Sequence, residues 1–139
     1  MKDIADLLGR VFLSFIFLYE AYDSIFYMEE TREKMVAYGL TWNTNLLLFG
    51  GIFLLVMGGL MLLLGYRSKL GGALLLLYWI PVTIIVHDFW TFPEPERRME
   101  SIWFMHNLAI MGGLLIVMAH GSGRFSMRRL FATATVPGA

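Results

Sequence analysis

The stretch TNLLLFGGIFLLVMGGLMLLLG, residues 44–65, contains no charged side chain. A membrane-spanning helix needs about 20 mainly apolar residues, because the hydrocarbon core of a bilayer is about 30 Å thick and a helix rises about 1.5 Å per residue. In water, a helix of this composition would expose apolar side chains all around its axis. The stretch therefore predicts a transmembrane helix.

Three further segments have a similar character. Residues 70–86 are also uncharged, and residues 102–119 contain one His and one Asn in an otherwise apolar run. Residues 7–28 are apolar but include two acidic residues and one basic residue. This segment lacks the strongly basic start and the small-residue cleavage site of a signal peptide. We therefore predict an all-α integral membrane protein, a four-transmembrane-helix bundle that forms one domain over residues 1–139.

The overall composition agrees with a membrane location. Of the 139 residues, 58% are hydrophobic and 16% are charged, whereas about 25% of the residues in a typical soluble domain are charged. The net charge is zero, which argues against a nucleic-acid partner. The chain contains no cysteine, which excludes disulfides, thiolate metal sites and thiol redox chemistry. We expect a protein that lies in the lipid bilayer and has no independent catalytic activity.

The distribution of Lys and Arg predicts the orientation, because these residues are enriched in short cytoplasmic flanks. Four of them lie in the segments 29–43 and 87–101, together with most of the acidic residues. The other seven lie at the N-terminus, in the turn at 66–69 and in the tail at 120–139: Lys2, Arg10, Arg67, Lys69, Arg124, Arg128 and Arg129. We therefore expect both termini, including the tail, to be cytoplasmic.

Glycines predict close helix packing within the bundle. Gly51, Gly58 and Gly65 recur every seven residues in the second span, and Gly71 and Gly72 open the third. Seven residues make nearly two helical turns, so the first three lie on one face. Helices in membranes associate through such small residues, since lipid provides no hydrophobic force between them.

Polar side chains inside the spans need a reason, because a charge at the bilayer centre costs about 2.5–3.5 kcal/mol on insertion scales. Arg10 and Ser14 lie on the cytoplasmic side of the first span, where an arginine can extend its guanidinium to the interface. Glu20 and Asp23 lie three residues apart in the outer third of the same span. These positions predict that the side of the helix that carries Arg10, Ser14, Glu20 and Asp23 faces the bundle.

Other polar residues fall at the same depth as Glu20 and Asp23. His87 ends the third span, and His106 and Asn107 lie one turn into the fourth span from the same side. Together the five residues predict a polar pocket in the outer half of the bundle.

Four interpretations of this pocket stay open. The side chains could link the helices to one another by hydrogen bonds. They could bind a quinone headgroup or a similar polar-headed lipid, because imidazole and amide groups can donate hydrogen bonds to a quinone carbonyl and a carboxylate can exchange protons. A metal could be held by His87, His106 and Glu20. The two histidines could instead bind a haem.

Seven short blocks are distributed over nearly the whole chain: GR (9–10), YEAYDSI (19–25), YGL (38–40), GYRSKLG (65–71), IPVTIIVHDFW (80–90), FMHNLAIMGGLL (104–115) and GSGRFS (121–126). They resemble the DoxX family of small bacterial membrane proteins. The resemblance implies four spans and a location in the bacterial cytoplasmic (inner) membrane.

The DoxX family is named for a subunit associated with thiosulfate:quinone oxidation, and its wider superfamily includes cargo and assembly factors of eukaryotic membranes. The resemblance implies an accessory subunit or partner of a quinone-linked or other redox membrane complex. The alternative is a non-catalytic membrane scaffold or assembly factor with no bound cofactor. Either role implies a membrane-protein partner or a homo-oligomer.

Two departures from the family pattern concern the expected pocket. Relatives commonly carry Lys at the position of His106, and another Lys near the positions of Asp23 and Ser24. A family role that depends on a permanent cation therefore does not carry over to this chain.

Overall fold

The computed structural model describes residues 1–127, 129 and 132. Within them the chain forms five α-helices and no β-strand, which confirms the prediction of an all-α protein. The rest of the predicted tail at 120–139, including Arg128, lies outside the described residues. The helices are α1 (Lys2–Phe26), α2 (Met28–Ala37), α3 (Thr44–Leu64), α4 (Ser68–Val86) and α5 (Glu96–His120).

In the described part of the chain, three helices are long and apolar enough to cross a membrane, namely α3, α4 and α5. The helix α1 has a sufficient length of 25 residues, but Arg10, Glu20 and Asp23 interrupt its apolar stretch. The helix α5 begins at Glu96, earlier than the predicted start of the last span at residue 102. This extension adds a polar first turn to the apolar part of α5.

The long helices alternate in direction and pack in chain order, α1 against α3, α3 against α4 and α4 against α5. A less extensive contact between α1 and α5 completes the bundle. We call the end that contains the start of α1, the α3–α4 turn and the segment after α5 the terminal end. We call the opposite end, with the α1–α2 and α4–α5 connections, the loop end. The short helix α2 lies at the loop end and buries none of its residues.

The centre of the bundle is apolar and contains one large aromatic pair. Leu55, Leu75 and Leu114 are fully buried, as is Phe17. The ring of Phe17 packs edge-on against Trp79, with 5.0 Å between the ring centroids. Many other large apolar side chains are exposed on the outside of the helices, as lipid-facing side chains would be. The core therefore accounts for only part of the apolar composition.

The glycines of α3 and α4 allow close approach of the two helices, which confirms their predicted packing role. A Cβ atom at Gly58 would lie 2.6 Å from Leu75 Cγ and 3.0 Å from the carbonyl oxygen of Gly71. A Cβ atom at Gly51 would lie 2.9 Å from a tyrosine ring of α4. Gly50, on another face of α3, has no neighbouring atom within 4 Å of such a Cβ. Close packing is thus confined to the face of α3 that meets its neighbours.

Candidate functional site

Buried hydrogen bonds join α4 and α5 near the loop end. The Oγ1 hydroxyl of Thr83 donates to the carbonyl oxygen of Trp79 at 2.7 Å. The Nδ2 amide of Asn107 donates to Thr83 Oγ1 at 3.1 Å. Thr83 is fully buried and Asn107 nearly so. The structure thus places Asn107 inside the bundle, where its amide links two helices.

His87 follows directly after α4 and contacts the second turn of α5. Its Nδ1 atom lies 2.8 Å from Oε2 of Glu100, and both side chains are about three-quarters buried. Sequence reasoning missed Glu100, because this residue precedes the apolar run that begins at residue 102. A signal was present in the sequence: Pro95 followed by acidic Glu96 is typical of a helix start, and a helix from there includes Glu100.

Glu20 lies half-buried on α1 and faces the same end of the bundle. It lies within electrostatic range of Asp23, Lys34 and His87, and also of Tyr78 on α4. No hydrogen bond joins its carboxylate to any residue that the structure describes. The carboxylate is therefore an unused acceptor near an imidazole and a phenol.

Trp79 provides an unused hydrogen-bond donor about one helical turn from the level of Glu20. Its indole Nε1–H is buried and has no acceptor among the described residues. Its ring packs against Phe17, which precedes Glu20 by three residues and so lies one turn away on the same side of α1. Buried donors are nearly always hydrogen-bonded in proteins. A polar molecule at this level would therefore find both a donor and an acceptor.

The structure does not bring His106 together with the other polar residues at the loop end, which corrects the expectation that His106 lines the predicted pocket. The side chain of His106 is exposed and packs edge-on against Trp103, with 5.8 Å between the ring centroids. Successive residues of a helix point about 100° apart. Because Asn107 points into the bundle, His106 points out of it.

The outward position of His106 also argues against the metal and haem interpretations. In the described part of the chain, no group of three or more His, Cys, Asp or Glu side chains is arranged to hold a metal ion. His87, His106 and Glu20 are therefore not brought together as a ligand set. His87 contacts Glu100 and His106 contacts Trp103, so the two histidines do not face each other as haem ligands would.

Arg10 and Ser14 belong to a separate polar cluster at the terminal end. Arg10 is fully buried, so the protein itself encloses its guanidinium at the terminal end. Its guanidinium donates to the carboxylate of Asp6 at 3.0 Å and to the carbonyl oxygen of Leu62 at 3.0 Å. A third bond goes to the carbonyl oxygen of Phe125. The hydroxyl of Ser14 donates to the carbonyl oxygen of Arg10 at 2.6 Å.

These features define a class of protein. Three apolar helices of membrane-spanning length, glycine-mediated packing and buried hydrogen bonds between helices together characterise a small integral membrane protein with several spans. The family model for DoxX matches residues 5–88. The chain belongs to the DoxX family.

The chain is similar to proteins from both eukaryotes and bacteria. It is 31% identical to the Surfeit locus protein 4 homolog of Schizosaccharomyces pombe over 123 residues, which make up 87% of this chain and 35% of that protein. It is 27% identical to the Drosophila melanogaster protein of the same name, over 91% of this chain and 40% of that protein.

A bacterial relative matches over nearly its whole length. The chain is 26% identical to the inner membrane protein YqjF of Escherichia coli over 94% of each chain. By contrast, it spans well under half the length of the two eukaryotic relatives. No solved structure matches the chain significantly.

Proposed function

We propose that the chain is a four-span protein of a bacterial cytoplasmic membrane, with both termini in the cytoplasm. In this proposal α1 is a span alongside α3, α4 and α5. The burial of Arg10 and the inward position of Glu20 support it, because both charges are kept away from lipid. The excess of Lys and Arg at the terminal end supports the orientation. The similarity to an inner membrane protein of E. coli supports the location.

We further propose that the protein acts as an accessory subunit of a quinone-linked or other redox membrane complex. Its headgroup site is the loop-end cluster, which we define as Glu20, Trp79, His87 and Glu100. One observation carries this proposal: Glu20 has an unused acceptor within electrostatic range of His87, and Trp79 on α4 has a buried, unused donor. The carbonyl oxygens of a bound quinone accept hydrogen bonds, as from the Trp79 N–H, and the hydroxyl groups of its reduced form can donate to the Glu20 carboxylate.

Each side chain of the cluster has a defined part in this proposal. The indole N–H of Trp79 donates a hydrogen bond to a headgroup oxygen. Glu20 exchanges protons at the headgroup, and His87 with Glu100 connects Glu20 to the surface at the loop end. Ionisable side chains within the membrane commonly form proton relays of this kind. The proposal assigns His106 no part, because its side chain is exposed.

Extraction of lipids from the purified protein, followed by quantification of quinone, tests this proposal. We expect quinone to co-purify with the unaltered chain. Loss of one hydrogen bond to the headgroup in Glu20→Ala or Trp79→Phe should weaken retention about tenfold, equivalent to about 1.4 kcal/mol. His106→Ala is the matched control and should retain quinone. A preparation of the unaltered protein without quinone would contradict the proposed site.

A second candidate function is that of a non-catalytic scaffold or assembly factor. It is favoured by the hydrogen bonds of Asn107 to Thr83 and of His87 to Glu100, which link helices within the protein. Substitution of side chains that only link the helices should lower stability and leave quinone retention unchanged. Co-purification in mild detergent of a stable membrane-protein partner, without quinone, would favour this candidate.

A further inference from the structure

The segment Gly121–Ser126 follows α5 and folds back against the terminal end of the bundle; we call it the C-terminal latch. We propose that this latch closes the bundle on Arg10, and that the first half of α1 stays packed only while the latch is seated. The inference does not depend on the proposed quinone site, which lies at the opposite end.

Arg10 connects three separate parts of the chain. A guanidinium carries five N–H donors in a rigid plane, and here they reach Asp6 on α1, Leu62 on α3 and Phe125 in the latch. Leu62 lies in the last turn of α3, where its carbonyl oxygen also accepts from the N–H of Gly65 at 3.1 Å and where the helix dipole favours a cation. A weaker bond goes to the carbonyl oxygen of Leu63 at 3.4 Å, so the latch provides one of four acceptors for a fully buried charge.

The latch also bonds to the start of α1 through its own backbone. The N–H of Gly123 donates to Oδ2 of Asp6 at 2.9 Å, the same oxygen that accepts from Nε of Arg10. The N–H of Arg124 donates to Oδ1 of Asp3 at 3.2 Å. Two acidic residues that precede the apolar part of α1 thus hold the latch in place.

Close contacts fix where the latch lies. A Cβ atom at Gly65, in the α3–α4 turn, would lie 2.6 Å from Cβ of Ser126 and 2.7 Å from Nη1 of Arg10. A Cβ atom at Gly123 would lie 2.9 Å from Oδ2 of Asp6. A side chain at Gly65 would overlap with Ser126, and one at Gly123 would displace the Asp6 carboxylate that holds the latch.

The position of α1 explains why release of the latch would open this end. The helix contacts α5 less extensively than it contacts α3, so the α1–α5 side of the bundle has little other packing. If the latch were released, the buried guanidinium of Arg10 would lose the carbonyl oxygen of Phe125 as an acceptor. A buried charge with a missing partner is strongly unfavourable. Hydration of Arg10 and separation of α1 at the terminal end would relieve this.

Cysteine accessibility in the full-length chain tests the inference, because the natural sequence contains no cysteine. Ser14→Cys places a thiol at a fully buried position of α1 near the latch, and Ser24→Cys places one at a buried position near the loop end of the same helix. Each reporter is combined with Arg10→Met or Gly123→Val. The rate of labelling by N-ethylmaleimide is then measured in native membranes.

Both variants should accelerate labelling at position 14 about tenfold, as expected for local opening, and leave position 24 unchanged. Gly123→Val tests the latch without removing the charge or altering a helix. Arg124→Ala is the control and should change neither rate, because only its backbone N–H contacts Asp3. Unchanged labelling at position 14 in both variants would overturn the inference. Equal acceleration at positions 14 and 24 would also overturn it, because it would indicate loosening of the whole bundle.

Discussion

At the scale of single residues, the polar side chains on these helices differ in how they are satisfied. Arg10 is buried with acceptors on three parts of the chain. Asn107 bonds to Thr83 across a helix interface, while its neighbour His106 is exposed beside Trp103. The orientation of each side chain, and not its residue type, determines whether it can contribute to stability.

The pair at 106 and 107 provides a matched test of this point. Asn107→Ala removes the hydrogen bond to Thr83 and should lower the free energy of unfolding by about 0.6 kcal/mol, the average for hydrogen bonds between membrane helices, and by no more than about 1.7 kcal/mol. His106→Ala removes an exposed side chain and should leave stability unchanged. Thermal unfolding in detergent measures both, and a larger loss for His106→Ala would contradict the orientation of α5.

At the scale of helices, close packing depends on which face of α3 carries each glycine. Gly58 meets Leu75 and the backbone of Gly71, whereas Gly50 meets no atom of a neighbouring helix. The same residue type therefore has a packing role at one position of α3 and none at another. The distinction matters in a membrane, where the closeness of backbones provides much of the helix association.

Alanine substitutions in α3 test this difference. Gly58→Ala places a methyl group 2.6 Å from Leu75 Cγ and 3.0 Å from a backbone oxygen, so α3 and α4 must separate. We expect a loss of about 1–3 kcal/mol in the free energy of unfolding, as for other overpacked sites. Gly50→Ala should be neutral or slightly stabilising, because alanine favours helix. Similar losses for the two variants would show that the contact face of α3 is assigned incorrectly.

At the scale of the whole molecule, α1 is the helix whose relation to the membrane defines the topology. Three charged residues lie in its apolar stretch, whereas α3 contains none. Our proposal that α1 spans the membrane depends on the bundle providing an environment for those charges. In this proposal, the terminal end is cytoplasmic and the loop end faces outward.

Labelling of intact cells with a membrane-impermeant maleimide tests the topology. Thr41→Cys and Thr91→Cys lie at the loop end and should react in intact cells. Ile4→Cys and Tyr66→Cys lie at the terminal end and should react only after the membrane is permeabilised. Reaction of positions 4 and 41 from the same side would contradict α1 as a span, and reaction of position 66 in intact cells would contradict the orientation.

The sequence by itself determined the class of this protein and the locations of its long helices. Apolar content and segment length are local properties, so the uncharged run at 44–65 predicts α3 without knowledge of its neighbours. Glycine spacing likewise indicated the packing faces at Gly51 and Gly58. Short blocks along the chain also resembled the DoxX family, to which the chain belongs.

Only the tertiary structure decided which polar residues meet. Arg10 bonds to Phe125, 115 residues away in the sequence. His87 contacts Glu100, which lies before the predicted start of the fourth span at residue 102. The sequence placed His106 and Asn107 at the same depth, but the rotation of α5 directs only Asn107 inward. Depth along a helix follows from counting residues, whereas the rotation of a helix and the contacts of distant segments depend on packing against the rest of the chain.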